Sequence, residues 1–292
     1  MEQVNQKASP AVLFVSWQGG LGHIMRDIAI AKELRALRPD VRIDWLAHPL
    51  GERILLEEGE TPMLESARSA DYNEIGAAKA IDGFRLSLAK YTYHGRKAWH
   101  ANALLFEEVT KNHSFDLIVG DEIYEVRDAI AAGEVKVRAP TVMIHDFFGS
   151  LAMSRNPLEL LFVHLRNRRA VSVYERGPAS ALTHFFVGEL DDIPDENFGF
   201  LLPNKKKLAE KLMTFLGYIV RFNPEEYQDV AAMKARNGFG PEPLVVCATG
   251  GTSAGLELLE LCGKAYELMK ASIPTLRLVC VHGELLGRSL PM

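Results

Sequence analysis

An apolar strand that leads through a glycine turn into a helix is the feature that most constrains this chain. Ala11 to Ser16 is an apolar run with β-branched and aromatic members, which is typical of a buried strand. Gly19, Gly20 and Gly22 follow, and apolar side chains then recur at helical spacing until Pro39. Such a unit directs free backbone N–H groups at an anion, and its glycines let the main chain approach a ligand. An ordinary βα turn is the alternative, because isolated glycine-rich turns are weak signals.

The residues around this turn limit which ligands it is expected to bind. His23 lies at the expected start of the helix, beside whatever the turn binds. Val41 to Ala47 predicts a second strand, so residues 11–47 form a βαβ unit and indicate a doubly wound parallel α/β sheet. A dinucleotide-binding unit would end the second strand in an acidic residue and carry a third turn glycine. His48 and Met25 occupy those positions, which argues against nicotinamide binding.

Two later strands also end in polar side chains. One apolar run leads into Asp121–Glu122, and another leads into His145–Asp146. The carboxyl ends of parallel strands share one edge of a sheet, where ligands bind in open α/β folds. We therefore expect these side chains to lie near His23, although each one alone could be a helix cap or a surface group.

A second unit of the same kind begins near residue 243. Leu244 to Ala248 and Thr275 to Val281 predict two partner strands with a helix between them. The first strand leads into a turn rich in glycine and hydroxyl groups, whose candidate ligand residues are Gly250, Gly251, Thr252 and Ser253. This turn lacks the Gly-Lys-Ser/Thr ending of an NTPase P-loop. Two glycine turns, one in each unit, favour a single phosphate-bearing ligand held between two lobes.

Two helical segments leave alternatives open. Aromatic and histidine side chains cluster in residues 84–106, where packing against the sheet is favoured over the wall of an acceptor pocket. Residues 157–170 predict a basic amphipathic helix, and an ordinary solvated face is favoured over contact with an anionic membrane. Residues 191–210 are rich in turn formers and predict irregular structure, and residues 216–222 predict an extended linker.

Composition excludes several classes of protein. The net charge of −5 argues against a dedicated nucleic-acid binder, which needs a basic surface. The three cysteines are odd in number and fit no metal-site spacing, so reduced, buried thiols in a cytoplasmic protein are expected. The polar first residues do not form a signal peptide, and no apolar run reaches the ~20 residues that span a bilayer.

Four stretches, taken in order, resemble GT-B glycosyltransferases, and most of all the UDP-N-acetylglucosamine transferases of the bacterial lipid-intermediate type. They are GGLGH at 19–23, IHDFFG at 144–149, GYIVR at 217–221 and CATGGTSAG at 247–255. The resemblance runs from residue 11 to about residue 285. It implies a Rossmann-like acceptor-side domain with its linker over residues 1–222. A partial nucleotide-sugar-binding lobe would follow over residues 223–292.

The resemblance also implies an activity. A hexosyl group, N-acetylglucosaminyl by family, would pass from a UDP-sugar to an acceptor hydroxyl with inversion, and neither metal nor cofactor would be needed. His23 would be the general base and Asp121 would orient it. The two glycine turns would bind the diphosphate, and His145 and Asp146 would lie on the acceptor side. The acceptor would be a glycan, a lipid or a small molecule.

The chain departs from this family after the second glycine turn. Family members continue there with further βα units that hold the nucleobase and the donor sugar. We therefore expect either a truncated chain or completion by a partner lobe or a second copy. One alternative is a non-catalytic subunit that binds the acceptor or the membrane surface, and another is a UDP-sugar epimerase.

Overall fold

A six-stranded parallel sheet is the centre of the computed structural model, which describes residues 9–16, 20–70, 76, 79–82, 85–176, 178–249 and 255–282. The strand order is β2-β1-β5-β6-β7-β8. The strands are β1 (Ala11–Ser16), β2 (Arg42–Ala47), β3 (Ile81–Asp82), β4 (Arg85–Leu86), β5 (Leu117–Asp121), β6 (Thr141–His145), β7 (Thr183–Phe186), β8 (Met213–Phe215), β9 (Leu244–Ala248) and β10 (Arg277–Val281).

Helices connect these strands and cover the sheet. They are α1 (Leu21–Leu37), α2 (Pro49–Glu57), α3 (Leu88–Asn112), α4 (Tyr124–Ala132), α5 (Pro157–Glu175), α6 (Lys205–Leu212), α7 (Val230–Arg236) and α8 (Leu256–Lys270). Short 3₁₀ turns lie at Leu64–Arg68, Pro178–Ala181, Leu190–Asp192 and Pro224–Tyr227. The predicted doubly wound parallel sheet is therefore confirmed.

The order of the strands creates a crevice beside β1. β1 pairs with β2 on one side and with β5 on the other, in parallel register from Val12↔Ile43 and Val12↔Leu117. The chain leaves β1 toward β2 and returns on the opposite side at β5, so the direction of winding reverses here. Ligands bind at the carboxyl ends of the strands at such a switch point.

The alternation of side chains along β1 builds two hydrophobic layers. Phe14 packs with Trp45 and with Ile24 and Ile28 of α1 on one face of the sheet. Leu13 and its neighbours face the other layer, which α3 and α4 cover through residues that include Phe106, Val109, Val126 and Ile130. Because both faces are buried, the strands are continuous apolar runs rather than alternating ones.

The region predicted to be irregular contains regular structure at its end. Asn204 caps α6 by accepting a hydrogen bond from the backbone N–H of Lys207 at 3.0 Å, which is an ordinary N-cap. The helix leads directly into β8, the edge strand of the large sheet. The prediction for residues 191–210 was therefore wrong after Asn204, because the Lys-rich turn forms a helix once Leu208 packs under the sheet edge.

The second unit is smaller and more exposed. β9 and β10 pair in parallel and form a separate two-stranded sheet. Cys247 and Leu259 form its small hydrophobic cluster, with Leu256, Cys262 and Leu278 packed against them, and Leu276 is also buried. Val246 is 59% exposed, so this sheet buries far less apolar surface than the large one. The three cysteines are free thiols, but only Cys247 is buried as expected; Cys262 is half-buried and Cys280 is exposed on this small unit.

None of the described helices combines the length and the apolar character that a bilayer crossing requires.

Candidate functional site

His23, Asp121 and Asp146 meet at the carboxyl edge of the large sheet. Gly20 has a φ of +125°, which only glycine adopts readily, and it turns the chain from β1 into α1. His23 therefore lies in the first turn of α1, and Asp121 is the last residue of β5. The Nδ1 atom of His23 lies 3.3 Å from Oδ1 of Asp121. The sequence predicted that these side chains would lie close together, and the structure does bring them together.

Arg26 occupies the space between them. Its Nε and Nη2 atoms donate to Asp121 Oδ2 at 3.0 and 2.8 Å, and Nη2 also lies 2.6 Å from Oδ1. A forked pair of this kind is a strong charge-assisted contact. Arg26 was not among the site residues predicted from the sequence, although its position three residues after His23 places both side chains on one face of α1.

The guanidinium of Arg26 affects which nitrogen of His23 carries the proton. Its Nη2 atom lies 2.9 Å from His23 Nδ1. A guanidinium only donates, so this contact requires Nδ1 to accept and places the imidazole proton on Nε2. Contact with Asp121 would instead require Nδ1 to donate, which would leave Nε2 free to accept a proton. The two arrangements thus give Nε2 opposite roles, and Arg26 lies closer to Nδ1 than Asp121 does.

Glu122 and Asp146 form an acidic pair beside His23. Glu122 has a φ of +52°, unusual for a residue with a side chain, and its Oε2 lies 3.8 Å from His23 Nε2. Burial, followed by the hydrogen bond and charge of Asp146, raises the pKa of Glu122 well above its ordinary value. Partial burial acts to raise the pKa of Asp146, but Glu122, His23 and Arg26 together lower it. The pair therefore shares one proton, held by Glu122.

These three side chains could also hold a cation. One ligand atom each of His23, Glu122 and Asp146 lies within 4.8 Å of the others. Arg26 Nη1 lies 3.5 Å from Asp146 Oδ2, and its Nη2 contacts His23, so a cation here would face a guanidinium already in place. The charge of Arg26 thus opposes metal binding at this cluster.

His145 lies elsewhere than the sequence predicted. Its side chain is fully buried, and its Nε2 atom lies 2.9 Å from Nδ1 of His184 on the neighbouring strand. The hydroxyl of Tyr124 lies 3.3 Å from its Nδ1. Burial lowers the pKa of His145 well below the ordinary value and lowers the pKa of His184 to about 4, so both rings are neutral. His145 is the last residue of β6 and points inward, while Asp146 reaches the rim, because successive residues of a strand face opposite sides.

A buried carboxyl lies behind the site. Asp27 is fully buried on α1 and accepts a short hydrogen bond from Ser16 Oγ at the end of β1. Burial and the charge of Asp121 raise the pKa of Asp27 well above its ordinary value. In its neutral form Asp27 does not repel the charge of Asp121. The Asp121 carboxylate contacts Arg26 and His23.

The glycine turns are described only in part. Gly20 and Gly22 lie at the start of α1, whose first turn is capped by no described side chain and so presents free N–H groups. The remaining predicted ligands of the diphosphate lie outside the described residues, and they are Gly19, Gly250, Gly251, Thr252 and Ser253.

A cavity of about 400 Å³ adjoins this site. Tyr124 lines it, and the hydroxyl of Tyr124 donates to Glu122 Oε1 at 3.2 Å. Its walls come from α3, α4, α5 and the loop after β6, and include Thr92, Trp99, Arg127, Phe147, Ser150 and Arg166. In the aromatic cluster of residues 84–106, Phe106 packs in the core as favoured, while Trp99 packs against that core and also lines the cavity. Arg166 and Arg169 of the basic helix also face this cavity.

Comparison with known proteins identifies the fold of this chain. No protein-family model matches the sequence, and a search of curated proteins found no match. The crystal structure of the glycotransferase of kitacinnamycin matches over 94% of this chain and 66% of its own, at 14% identity and a TM-score of 0.51. CalG4, the calicheamicin glycosyltransferase, matches over 96% of this chain and 67% of its own, at 16% identity and a TM-score of 0.52.

MurG of Acinetobacter baumannii matches over 92% of this chain at 13% identity, but its TM-score of 0.40 adds nothing to the assignment. The chain spans about two thirds of the length of the two structures that match better. At such identities the similarity concerns architecture alone. The chain has the α/β fold of GT-B glycosyltransferases, with a six-stranded parallel sheet flanked by helices.

Proposed function

We propose that this protein takes part in glycosyl transfer from a UDP-sugar to an acceptor hydroxyl. One observation carries the proposal: His23 and Asp121 lie 3.3 Å apart at the switch point of a sheet with the GT-B fold. An acceptor hydroxyl must lose its proton as it attacks the anomeric carbon, and imidazole titrates near neutral pH. The hexosyl group, N-acetylglucosaminyl by the sequence resemblance, would be transferred with inversion.

His23 would act as the base in the tautomer that Asp121 favours. With its proton on Nδ1 and directed at Asp121, Nε2 accepts the proton of the attacking hydroxyl, and Asp121 stabilises the imidazolium that results. Arg26 must then give up its contact with Nδ1 while it keeps its fork on Asp121. Arriving negative charge on a donor diphosphate would favour that change, because Arg26 could turn its free N–H groups toward it.

The leaving diphosphate needs stabilisation of its negative charge. The N-terminus of α1, which no described side chain caps, supplies N–H groups and the positive end of a helix dipole for this purpose. Such groups do not require a metal, and Arg26 already supplies a positive charge beside the site. We therefore propose a metal-independent reaction without a cofactor, in the cytoplasm and in contact with the membrane surface if the acceptor is a lipid.

A second candidate is a subunit that binds the acceptor but needs another lobe, from a partner or a second copy, for catalysis. The exposure of β9 favours it, because valines at positions 245 and 246 are 39% and 59% exposed in a strand that would be buried in a complete lobe. An epimerase is a third candidate, although no contact in the structure favours it over transfer.

Release of UDP from UDP-N-acetylglucosamine tests the proposal. The wild-type chain should release UDP in the presence of acceptor alcohols, and His23→Ala should lower the rate by about 10²–10⁴-fold, as loss of a general base does. His100→Ala, on an exposed part of α3, is the matched control and should leave the rate unchanged. Equal rates in wild type and His23→Ala would exclude His23 as the base. Interconversion of UDP-sugars without acceptor would indicate an epimerase, and turnover that appears only after a partner lobe is added would indicate the subunit.

A further inference from the structure

Arg166 is a cation in the wall of the cavity beside the candidate site. Its Nε atom donates to Ser150 Oγ at 3.3 Å and its Nη1 atom donates to Thr92 Oγ1 at 3.4 Å. Both contacts are long and both acceptors are neutral. Within the described ranges no carboxylate lies at salt-bridge distance from Arg166. Burial lowers the pKa of this guanidinium below its ordinary value, which reflects the cost of a charge in this position.

Arg127, in the same wall, differs from Arg166 because a carboxylate balances its charge. Its Nε and Nη2 atoms donate to Asp128 Oδ1 at 3.0 and 2.7 Å, and its Nη1 atom donates to the Tyr174 hydroxyl at 2.9 Å. Asp128 is thereby committed to Arg127. Arg169 adds a further positive charge to the lining, so the cavity carries three arginines and one carboxylate. Arg166 is half-buried and has only neutral hydrogen-bond acceptors, and such a cation is stabilised when an anion accompanies it.

Aromatic side chains form much of the remaining wall of the cavity. Trp99, Tyr124 and Phe147 line it, and the rings of Tyr124 and Phe147 lie with centroids 5.3 Å apart. The guanidinium of Arg166 lies 5.8 Å from the centroid of the Trp99 ring. Aromatic walls favour a planar or apolar body, and a forked guanidinium favours a carboxylate or a phosphate.

The cavity lies next to the candidate site. Tyr124 links the two, because its ring lines the cavity while its hydroxyl donates to Glu122, whose carboxyl lies 3.8 Å from His23. Phe147, on the other wall, directly follows Asp146 in the chain. A molecule seated in the cavity would thus extend toward His23.

We propose that this cavity binds an acceptor that carries an oxyanion on a flat apolar body, with Arg166 as the residue that selects the oxyanion. The role of this ligand as an acceptor rests on the proposed function, whereas the binding of its oxyanion does not. A carboxylate and a phosphoryl group share the chemistry that Arg166 recognises, and the probes separate them.

The test measures binding by equilibrium dialysis without any donor sugar. The probes are 2-naphthoate, 2-naphthyl phosphate and the neutral 2-naphthalenemethanol. Wild type should bind at least one anion about tenfold or more tightly than the alcohol, and the tighter anion identifies the oxyanion. Arg166→Met should weaken anion binding by about 10–100-fold and leave the alcohol within about twofold. Arg168→Met, an exposed neighbour on α5 that is not in the cavity wall, should change neither.

Several results would overturn the proposal. Equal affinity of wild type for the alcohol and both anions would do so, as would equal losses in Arg166→Met and Arg168→Met. Should Arg166→Met fail to fold, Arg166→Lys keeps the charge but loses the fork, and it should weaken anion binding by about 3–10-fold.

A second measurement separates this proposal from the proposed function. 6-Hydroxy-2-naphthoate and 2-naphthol are offered as acceptors with UDP-N-acetylglucosamine. Anion binding that requires Arg166, without UDP release, would support the cavity and oppose glycosyl transfer. UDP release that is equal for the two phenols and unaffected by Arg166→Met would support transfer and overturn the cavity.

Discussion

The guanidinium of Arg26 lies 2.9 Å from Nδ1 of His23, inside the distance at which Asp121 approaches the same atom. The histidine that the proposed reaction requires is therefore held, in this structure, in the tautomer that cannot accept a proton at Nε2.

Removal of Arg26 should switch the tautomer of His23. In wild type we expect the proton on Nε2, and in Arg26→Met we expect it on Nδ1, directed at Asp121. Long-range ¹H–¹⁵N NMR of the imidazole distinguishes the two. The substitution should also destabilise the fold by about 3–5 kcal/mol, because it removes the forked ion pair with the buried Asp121.

Arg38→Met is the matched control for this prediction. Arg38 follows the same helix and pairs with Asp40, but both side chains are more than half exposed. Its loss should change stability little, because an exposed ion pair is screened by solvent, and should leave the tautomer of His23 as it is. A proton on Nδ1 of His23 in the wild-type protein would contradict the prediction.

Gly22 should be dispensable for folding but not for binding a diphosphate. A Cβ added at Gly22 would meet nothing within 4 Å, and its helical backbone suits alanine. Gly22→Ala should therefore leave stability unchanged or raise it by about 0.5–1 kcal/mol. Affinity for UDP, measured by calorimetry, should fall at least about tenfold if the diphosphate lies against this turn. A tenfold loss of affinity corresponds to the binding free energy of about one lost close contact.

Gly263→Ala is the control for Gly22→Ala, because a Cβ there also meets nothing and the residue lies within α8. It should give a similar stability change and no change in UDP affinity. Unchanged UDP affinity in Gly22→Ala would remove this glycine from the proposed binding site.

The buried His145–His184 pair should make the protein sensitive to acid. The pKa of His184 is lowered to about 4, whereas an unfolded histidine titrates near 6.5. Below pH ~6.5 the unfolded chain takes up a proton that the folded chain refuses, so stability falls from there toward pH ~4. His184 alone should account for about 2 kcal/mol of the loss between pH 7.5 and 5.

His184→Gln should remove that part of the acid sensitivity. Urea denaturation at pH 7.5 and 5 measures it as a smaller difference in the free energy of unfolding. His100→Gln, whose side chain is 60% exposed, should leave the difference as in wild type. The same difference in wild type and His184→Gln would show that the pair is not held neutral.

Glu122 should stabilise the protein more as a neutral group than as an anion. Burial and the hydrogen bond with Asp146 raise its pKa, so the folded chain holds a proton that the unfolded chain releases above pH ~4.5. Stability therefore falls as the pH rises above that value, until Glu122 itself ionises. Glu122→Gln, which stays neutral and can still donate to Asp146, should gain stability relative to wild type at pH 8 and gain less at pH 5.

Glu57→Gln is the control for Glu122→Gln, because Glu57 is 66% exposed and forms only a surface ion pair. Its effect should be small and equal at the two values of pH. A larger gain for Glu122→Gln at pH 5 than at pH 8 would refute the protonated state assigned to Glu122.

The amino-acid sequence by itself determined the parallel sheet and one edge of it. Apolar runs of strand length, joined through helical periodicity, have one low-energy arrangement, in which helices cover both faces of a parallel sheet. Asp121 and Asp146 follow two of those strands and His23 follows the turn after a third, so their meeting at one edge follows from strand direction alone. Asn204, a favoured N-cap residue, also marks the start of α6 in the sequence.

Only the tertiary structure decided what each side chain does at that edge. Whether His145 faces the rim or the interior depends on its position in the pleat beside β7. There its ring contacts the ring of His184. Whether Arg26 contacts Asp121 depends on how α1 packs against a strand about ninety-five residues later. The orientation of Arg166 depends on the packing of α5 over α3. These contacts join residues far apart in the chain, and local periodicity carries no information about them, because the free energy that selects them comes from burial and charge across separate elements.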